Sequence, residues 1–332
     1  MSFSKEAIEL PSYKEPTKGL LSYLPSSWVP YAELMRLNKP VGILNIYFPY
    51  LYGSLFAACV TQPVMSPTSV LLANAKLFPM AFLLRSAGCT WNDIIDRDLD
   101  RQVARCRLRP MAREAVSPRN GYTFFTAQIL VWLSIVVQTD KPTIAYALFA
   151  VVLAQIYPFS KRVTDYAQVV LGIALAWGVL VGCMLQGVNP ATLVVDQPWT
   201  AAALACVCLS YIIWSVIHDT VYAFQDIQDD AKAGVHTMTL RFENAAHVLL
   251  SGLAVAQVCS HMATGLIIAA GFWYYTGTCF NTAALLAIMI WKVDLMDPEQ
   301  CWYWFRYGSL IMGWTITAGL AGEYGQRLFA VK

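Results

Sequence analysis

Apolar residues fall in nine long runs, at about 41–60, 70–91, 121–138, 143–158, 166–186, 199–217, 245–270, 272–292 and 304–322. Each approaches the ~20 residues that a helix needs to cross a hydrocarbon core. None alternates apolar and polar positions with a period of two, which argues against a β-barrel. The third and fourth runs are split only by "TDKP", a turn signal built on Pro142, and the seventh and eighth meet at Gly271. No intervening stretch is long enough for a soluble domain. The pattern predicts an all-α polytopic membrane protein of nine transmembrane helices, with residues 36–332 as one domain behind a flexible tail, residues 1–35.

Composition agrees. Of 332 residues 57% are hydrophobic and 13% charged, against a usual ~25% charged in soluble chains. A net charge of +2 gives no argument for nucleic acid. The distribution of Lys and Arg is more informative than their number. Eighteen fall in the tail and in the loops after the second, fourth, sixth and eighth runs, and seven of these lie between Arg97 and Arg119. The positive-inside rule places that face, and the N-terminus, in the cytosol, with the C-terminus lumenal. Nine cysteines show no paired spacing and read as buried thiols, and four histidines show no metal-ligand spacing. The opening "MSFSKEAIELPSYKEPTKG" has neither an apolar signal core nor an arginine before Arg36, and it carries Glu6, Glu9 and Glu15. It is expected to be cytosolic rather than a mitochondrial presequence, with the protein in the endoplasmic reticulum.

Chemistry concentrates where two apolar runs end. "GCTWNDIIDRDLDRQVARCRLRP" (88–110) carries Asn92, Asp93, Asp96 and Asp100. If the second helix continues through it, Asn92, Asp96 and Asp100 line one stripe at i, i+4, i+8. Such carboxylates repel unless cations sit among them. Carboxylates at a membrane face point to a functional site rather than a merely solvated helix end. A second cluster, "IHDTVYAFQDIQDDAKAG", carries Asp219, Asp226 and Asp230 after the sixth run, on the same face by charge. Two facing carboxylate stripes suit Mg2+, which takes a few carboxylates and completes its shell with phosphate oxygens. Arginines and lysines beside them suit a diphosphate. "YPFSKR" adds Tyr157 and Lys161 at i, i+4, a hydroxyl donor and a cation. "NIYFPYLYGSLF" lines the first run with aromatic rings, as for packing or for an apolar channel whose ring faces stabilise a carbocation.

With these motifs the chain resembles the UbiA superfamily of intramembrane prenyltransferases, from "LMRLNKPVG" to the ninth run. Asn92, Asp93, Asp96 and Asp100 match its N-D-x-x-D-x-x-x-D signature, Asp226 and Asp230 its D-x-x-x-D, and Tyr157 and Lys161 its Y-x-x-x-K. "PMAREAVS" departs from the usual R-P-x-A-x-G, with Glu114 and Ala115 where a glycine is common. The resemblance implies nine helices around a central cavity and Mg2+-dependent prenyl transfer from a diphosphate. Within the superfamily the strings resemble the fungal meroterpenoid group, which farnesylates aromatic polyketides such as 3,5-dimethylorsellinic acid. They also resemble 4-hydroxybenzoate polyprenyltransferase of ubiquinone synthesis.

The expected site follows. Asp93, Asp96, Asp100, Asp226 and Asp230 hold Mg2+. Arg36, Arg97, Arg101, Lys161, Asn92 and Tyr157 bind the diphosphate. Arg162 pairs with an acceptor carboxylate, and Asp219 removes the ring proton. The expected partners are a prenyl diphosphate, an aromatic acid and the lipid bilayer, with no protein partner evident. A rival of another class is an ion-coupled transporter. Its site would lie near the bilayer midplane, whereas these acids gather at helix ends on one face.

Overall fold

The computed structural model describes residues 13–160, 162–233 and 237–330, and every regular element in them is helical. Among these residues nine long helices coincide with the apolar runs. They are α1 (Val41–Val60), α2 (Pro67–Ile95), α3 (Pro118–Val136), α4 (Lys141–Ser160), α5 (Ala167–Leu185), α6 (Pro198–Ala223), α7 (Ala246–Ile267), α8 and α9. The last two are composite. α8 runs from Phe272–Tyr274 through a π-turn, Tyr275–Phe280, into Asn281–Lys292; α9 runs from Pro298–Tyr303 through a π-turn, Trp304–Gly308, into Ser309–Ala330.

Six of the nine, α1, α2, α4, α5, α6 and α7, are long and apolar enough to cross a membrane. The other three differ for visible reasons. α3 opens on a turn carrying Arg119 and Asn120, and the π-turns interrupt the regular helix in α8 and α9.

Local signals set the helix starts. Ser66 and Ser117 accept from the backbone N–H of Ser69 and Asn120, and in each case proline follows in the first turn. With 29 residues α2 is ~44 Å long, more than a bilayer core requires. Its last turns, with Asn92 and Asp93, therefore extend to the polar end of the bundle.

Small residues let α1 and α5 cross closely. A Cβ at Gly53 would stand 1.9 Å from the Val179 carbonyl oxygen, and one at Gly182 would stand 2.1 Å from that of Tyr50. Nearby, Ser54 Oγ accepts from both Asn74 Nδ2 and Gln186 Nε2 at 2.7 Å, so the buried polar groups are matched across three helices. At the bundle end remote from the acids, Arg327 donates to Glu323 (2.6 Å) and to the Cys59 carbonyl (2.9 Å), while Glu323 accepts from the Gly271 N–H (2.7 Å). This joins the ends of α1, α8 and α9. Gly53→Ala is expected to cost ~1–3 kcal/mol or more, because the clash is with backbone that cannot rotate away. Thermal unfolding of detergent-solubilised protein checks this, and an unchanged midpoint would contradict the close crossing.

The segment from Tyr13 to Met35 is packed, not extended from the bundle. Leu21, Val29 and Ala32 form a small apolar cluster. Tyr13 donates to Glu33 Oε1 (3.0 Å), and Arg113, from the loop after α2, bonds Glu33 Oε2 (2.7 Å) and lies 3.7 Å over the Tyr13 ring.

Candidate active site

α2 does not continue unbroken through its acidic stretch. It ends at Ile95. Asp96 leaves helical geometry (φ −88°, ψ 5°) while its N–H still bonds the Asn92 carbonyl, and one further turn, Arg97–Asp100, follows. The regular i, i+4, i+8 stripe is thus interrupted. Asn92, Asp96 and Asp100 nevertheless line one cavity of about 430 Å3. Asp219 from α6, Asp226 from the 3-10 turn Phe224–Asp226 and Asp230 from the short helix Ile227–Ala233 line the same cavity. Tyr157 joins them from the end of α4. Deeper in, the walls become apolar, with Leu84, Ala150, Leu171, Leu175 and Trp214. The size is that of a small-molecule site.

Arginines neutralise the acids. Arg105 donates through Nε to both oxygens of Asp226 (3.0 Å each), and its Nη2 also bonds Asp226. A further bond to Tyr222 (2.5 Å) holds it there. Arg109 bonds Asp100 (2.9 and 3.0 Å) and lies 3.5 Å from Asp93. Burial works against the charge on both groups. Tyr222 and Asp226 hold Arg105 above the ordinary arginine value, and Asp93 and Asp100 contribute the same to Arg109. The Ala104 N–H donates to Asp229 (3.2 Å), so the loop after α2 is fastened across the acidic end of the bundle.

Asp93 has another place. It is wholly buried and does not line the cavity; both its oxygens accept from Arg36, at 2.5 and 2.9 Å. Arg36 sits at φ +56°, a left-handed conformation that costs a non-glycine residue energy and places this guanidinium on Asp93. Burial opposes the Arg36 charge most strongly, but the charge and hydrogen bond of Asp93, with a smaller contribution from Cys89, together raise the group above its ordinary value.

Three predicted cations lie away from the cavity lining. Arg97 pairs with exposed Asp98 (3.1 Å), and Arg101 bonds the Ala112 carbonyl and Glu114. Arg162 is half-exposed, donates to the Ile95 carbonyl (2.8 Å) and comes within 3.9 Å of Asp96. Lys161 lies outside the described residues. In their stead Arg105 and Arg109 line the cavity, together with Arg85, a buried arginine of α2 that donates to the Met35 (3.1 Å) and Lys39 (3.4 Å) carbonyls. The basic loop offered no signal for Arg105 and Arg109, because Arg97, Arg101, Arg105, Arg109 and Arg113 all recur at i, i+4.

Among the described residues no three His, Cys, Asp or Glu side chains converge into a metal site. The donor set still suits Mg2+. Asp96, Asp100, Asp226 and Asp230 supply hard oxygens to one cavity, and arginines stand on two of them as a cation would.

A helical bundle with membrane-spanning candidates, and with carboxylates and arginines gathered at one end of an apolar cavity, has the chemistry of an intramembrane site that suits an amphiphilic anion. The UbiA prenyltransferase family model matches residues 46–315, and the chain belongs to that family. It is an aromatic prenyltransferase. The prenyltransferase ascA of Acremonium egyptiacum is 36% identical over 286 residues, covering 85% of this chain and 83% of the relative. The mitochondrial 4-hydroxybenzoate polyprenyltransferase of Schizosaccharomyces pombe is 35% identical, covering 95% and 85%. The DMOA farnesyltransferase nvfB of Aspergillus novofumigatus is 36% identical, covering 80% of each. In fold, the chain matches a UbiA homolog from Archaeoglobus fulgidus bound to GPP and Mg2+, with TM-score 0.62, 18% identity and coverage of 88% of this chain and 98% of the homolog.

Proposed function

We propose that the chain transfers a farnesyl group from farnesyl diphosphate to an aromatic polyketide acid of the 3,5-dimethylorsellinic type, with Mg2+ as cofactor. The observation that carries this is the polarity of the cavity, acids and arginines at one end and apolar walls beyond. The likeness to nvfB supports the acceptor class. A second reading, 4-hydroxybenzoate prenyl transfer, is supported by the match over 95% of this chain to the Schizosaccharomyces pombe enzyme.

Asp96, Asp100, Asp226 and Asp230 would hold the metal. Bound there, Mg2+ would neutralise the diphosphate and stabilise it as a leaving group. Asp93 fixes Arg36. Arg105 and Arg109 exchange their carboxylates for diphosphate oxygens, and Tyr157 and Lys161 add a hydroxyl and an ammonium. The apolar walls hold the prenyl chain and keep water from the allylic centre. The ring of the acid attacks C1 as the diphosphate leaves, Asp219 takes the ring proton, and Arg162, which approaches Asp96 from outside the cavity lining, pairs with the acid's carboxylate. Nine spans and a cytosolic active-site face, supported by the Lys and Arg distribution, complete the proposal, together with residence in the endoplasmic reticulum.

Arg105→Gln separates the two roles of that arginine. The Mg2+ concentration for half-maximal activity should fall, because Asp226 is freed, while KM for farnesyl diphosphate should rise about tenfold. Unchanged values for both would remove Arg105 from the site. The function itself is tested by incubating membranes containing the protein with farnesyl diphosphate, Mg2+ and a panel of phenolic acids, followed by mass spectrometry. Farnesylated orsellinic-type acid is expected. Product from 4-hydroxybenzoate alone would replace the first reading by the second.

A further inference from the structure

Behind the arginines lies a second cavity of about 490 Å3, which shares Arg36, Arg85, Arg105 and Arg109 with the first as a common wall. Its lining carries seven cations against one acid, Glu33. The four shared arginines are already matched: Arg36 to Asp93, Arg105 to Asp226, Arg109 to Asp100, and Arg85 to backbone carbonyls. Glu33 is matched by Arg113 and Tyr13. The remaining cations, Lys14, Lys39 and Arg306, have no carboxylate partner among the described residues.

We propose that this cavity is a second anion site, which takes a phosphate-class anion, inorganic diphosphate foremost, without a metal. Concentrated positive charge in a recess selects an anion of several charges over one of a single charge. Aromatic residues are present but are stacked on one another and under Lys39. Phe305 stacks on Tyr222 at 3.9 Å and on Trp302 at 5.7 Å, and the Lys39 ammonium lies 5.6 Å over Trp302. With these ring faces engaged on one another and on Lys39, the groups the cavity leaves unmatched are its cations. Burial of the Lys39 ammonium first, and then the charges of Arg105, Arg36 and Arg109, pull its pKa down to about 8. The location supplies a source. In the prenyl-transfer reading diphosphate is released on the other side of the arginine wall, and this cavity would receive it on the way out. The source rests on that reading; the anion site does not.

The test uses the purified full-length protein in detergent with EDTA and no prenyl substrate. Binding of inorganic diphosphate is measured by equilibrium dialysis, with orthophosphate in a parallel arm. Chelator-resistant binding of diphosphate is expected, tighter than that of orthophosphate and weakened by salt. The double variant Lys39→Gln, Arg306→Gln should weaken it by at least about tenfold. The same variant should turn over at the wild-type rate at saturating substrate and lose the noncompetitive part of product inhibition by diphosphate. No binding in EDTA, or binding that the double variant leaves unchanged, would overturn the proposal. Tighter binding of orthophosphate would make cellular phosphate, not the product, the occupant. Chelator-resistant binding in a protein that transfers no prenyl group would keep the site and discard the function.

Discussion

Arg36→Ala is expected to destabilise the protein by about 3–5 kcal/mol, the largest stability effect of any single change considered. The reason is Asp93. Its side chain has no exposed surface, and Arg36 satisfies both its oxygens. Arg109, 3.5 Å away, is bonded to Asp100. Removing Arg36 leaves a buried carboxylate with at best a shared and distant cation. Replacing Asp93 with asparagine in the same chain removes the buried charge and should recover part of the loss. Thermal unfolding of the two single variants and the double variant measures this as a coupling energy. Additive losses would mean that the pair does not act as one unit.

The largest catalytic effects are expected at Asp96→Asn and Asp226→Asn, each lowering turnover by about 100- to 1000-fold. These substitutions keep the side chain's shape, but they remove one negative charge and turn one acceptor oxygen into a donor at the proposed metal site. Both residues line the cavity at its polar end, so the fold should survive, and the melting temperature serves as the control. The two residues come from opposite clusters, carried by the end of α2 and the turn after α6. If both clusters serve one metal–diphosphate assembly, the double variant should be little worse than either single one. Multiplying losses would indicate two independent sites.

Much of this was legible in the sequence because membrane helices advertise themselves by length and apolarity. The positions of nine long helices followed from that signal, six of them long and apolar enough to cross a membrane, whereas the π-turns of α8 and α9 did not, since nothing in "WYYTGTCFN" or "WFRYGS" marks an extra residue per turn. The two aspartate clusters were legible as motifs, and the structure brings Asp96, Asp100, Asp226 and Asp230 to one cavity. The division of labour among the charges was less visible. Asp93 is one residue from Asn92 yet faces Arg36 instead of the cavity, because a step of about 100° around a helix turns neighbours apart. Among seven arginines between 97 and 119, spacing alone does not tell Arg105 and Arg109, which meet the carboxylates, from Arg97 and Arg101, which meet Asp98 and Glu114. That choice is made by the path of an irregular loop, set by contacts such as the Ala104 N–H on Asp229.

The central claim is that the two carboxylate clusters act through Mg2+ on a prenyl diphosphate. It is tested most directly by metal removal and return. Membranes containing the protein are stripped with EDTA, supplied with farnesyl diphosphate and an orsellinic-type acid, and assayed for prenylated product before and after Mg2+ is restored in excess of chelator. The account predicts no product in EDTA and recovery with Mg2+ in the wild type, with no comparable recovery in Asp96→Asn or Asp226→Asn. Full activity in the presence of chelator would contradict it.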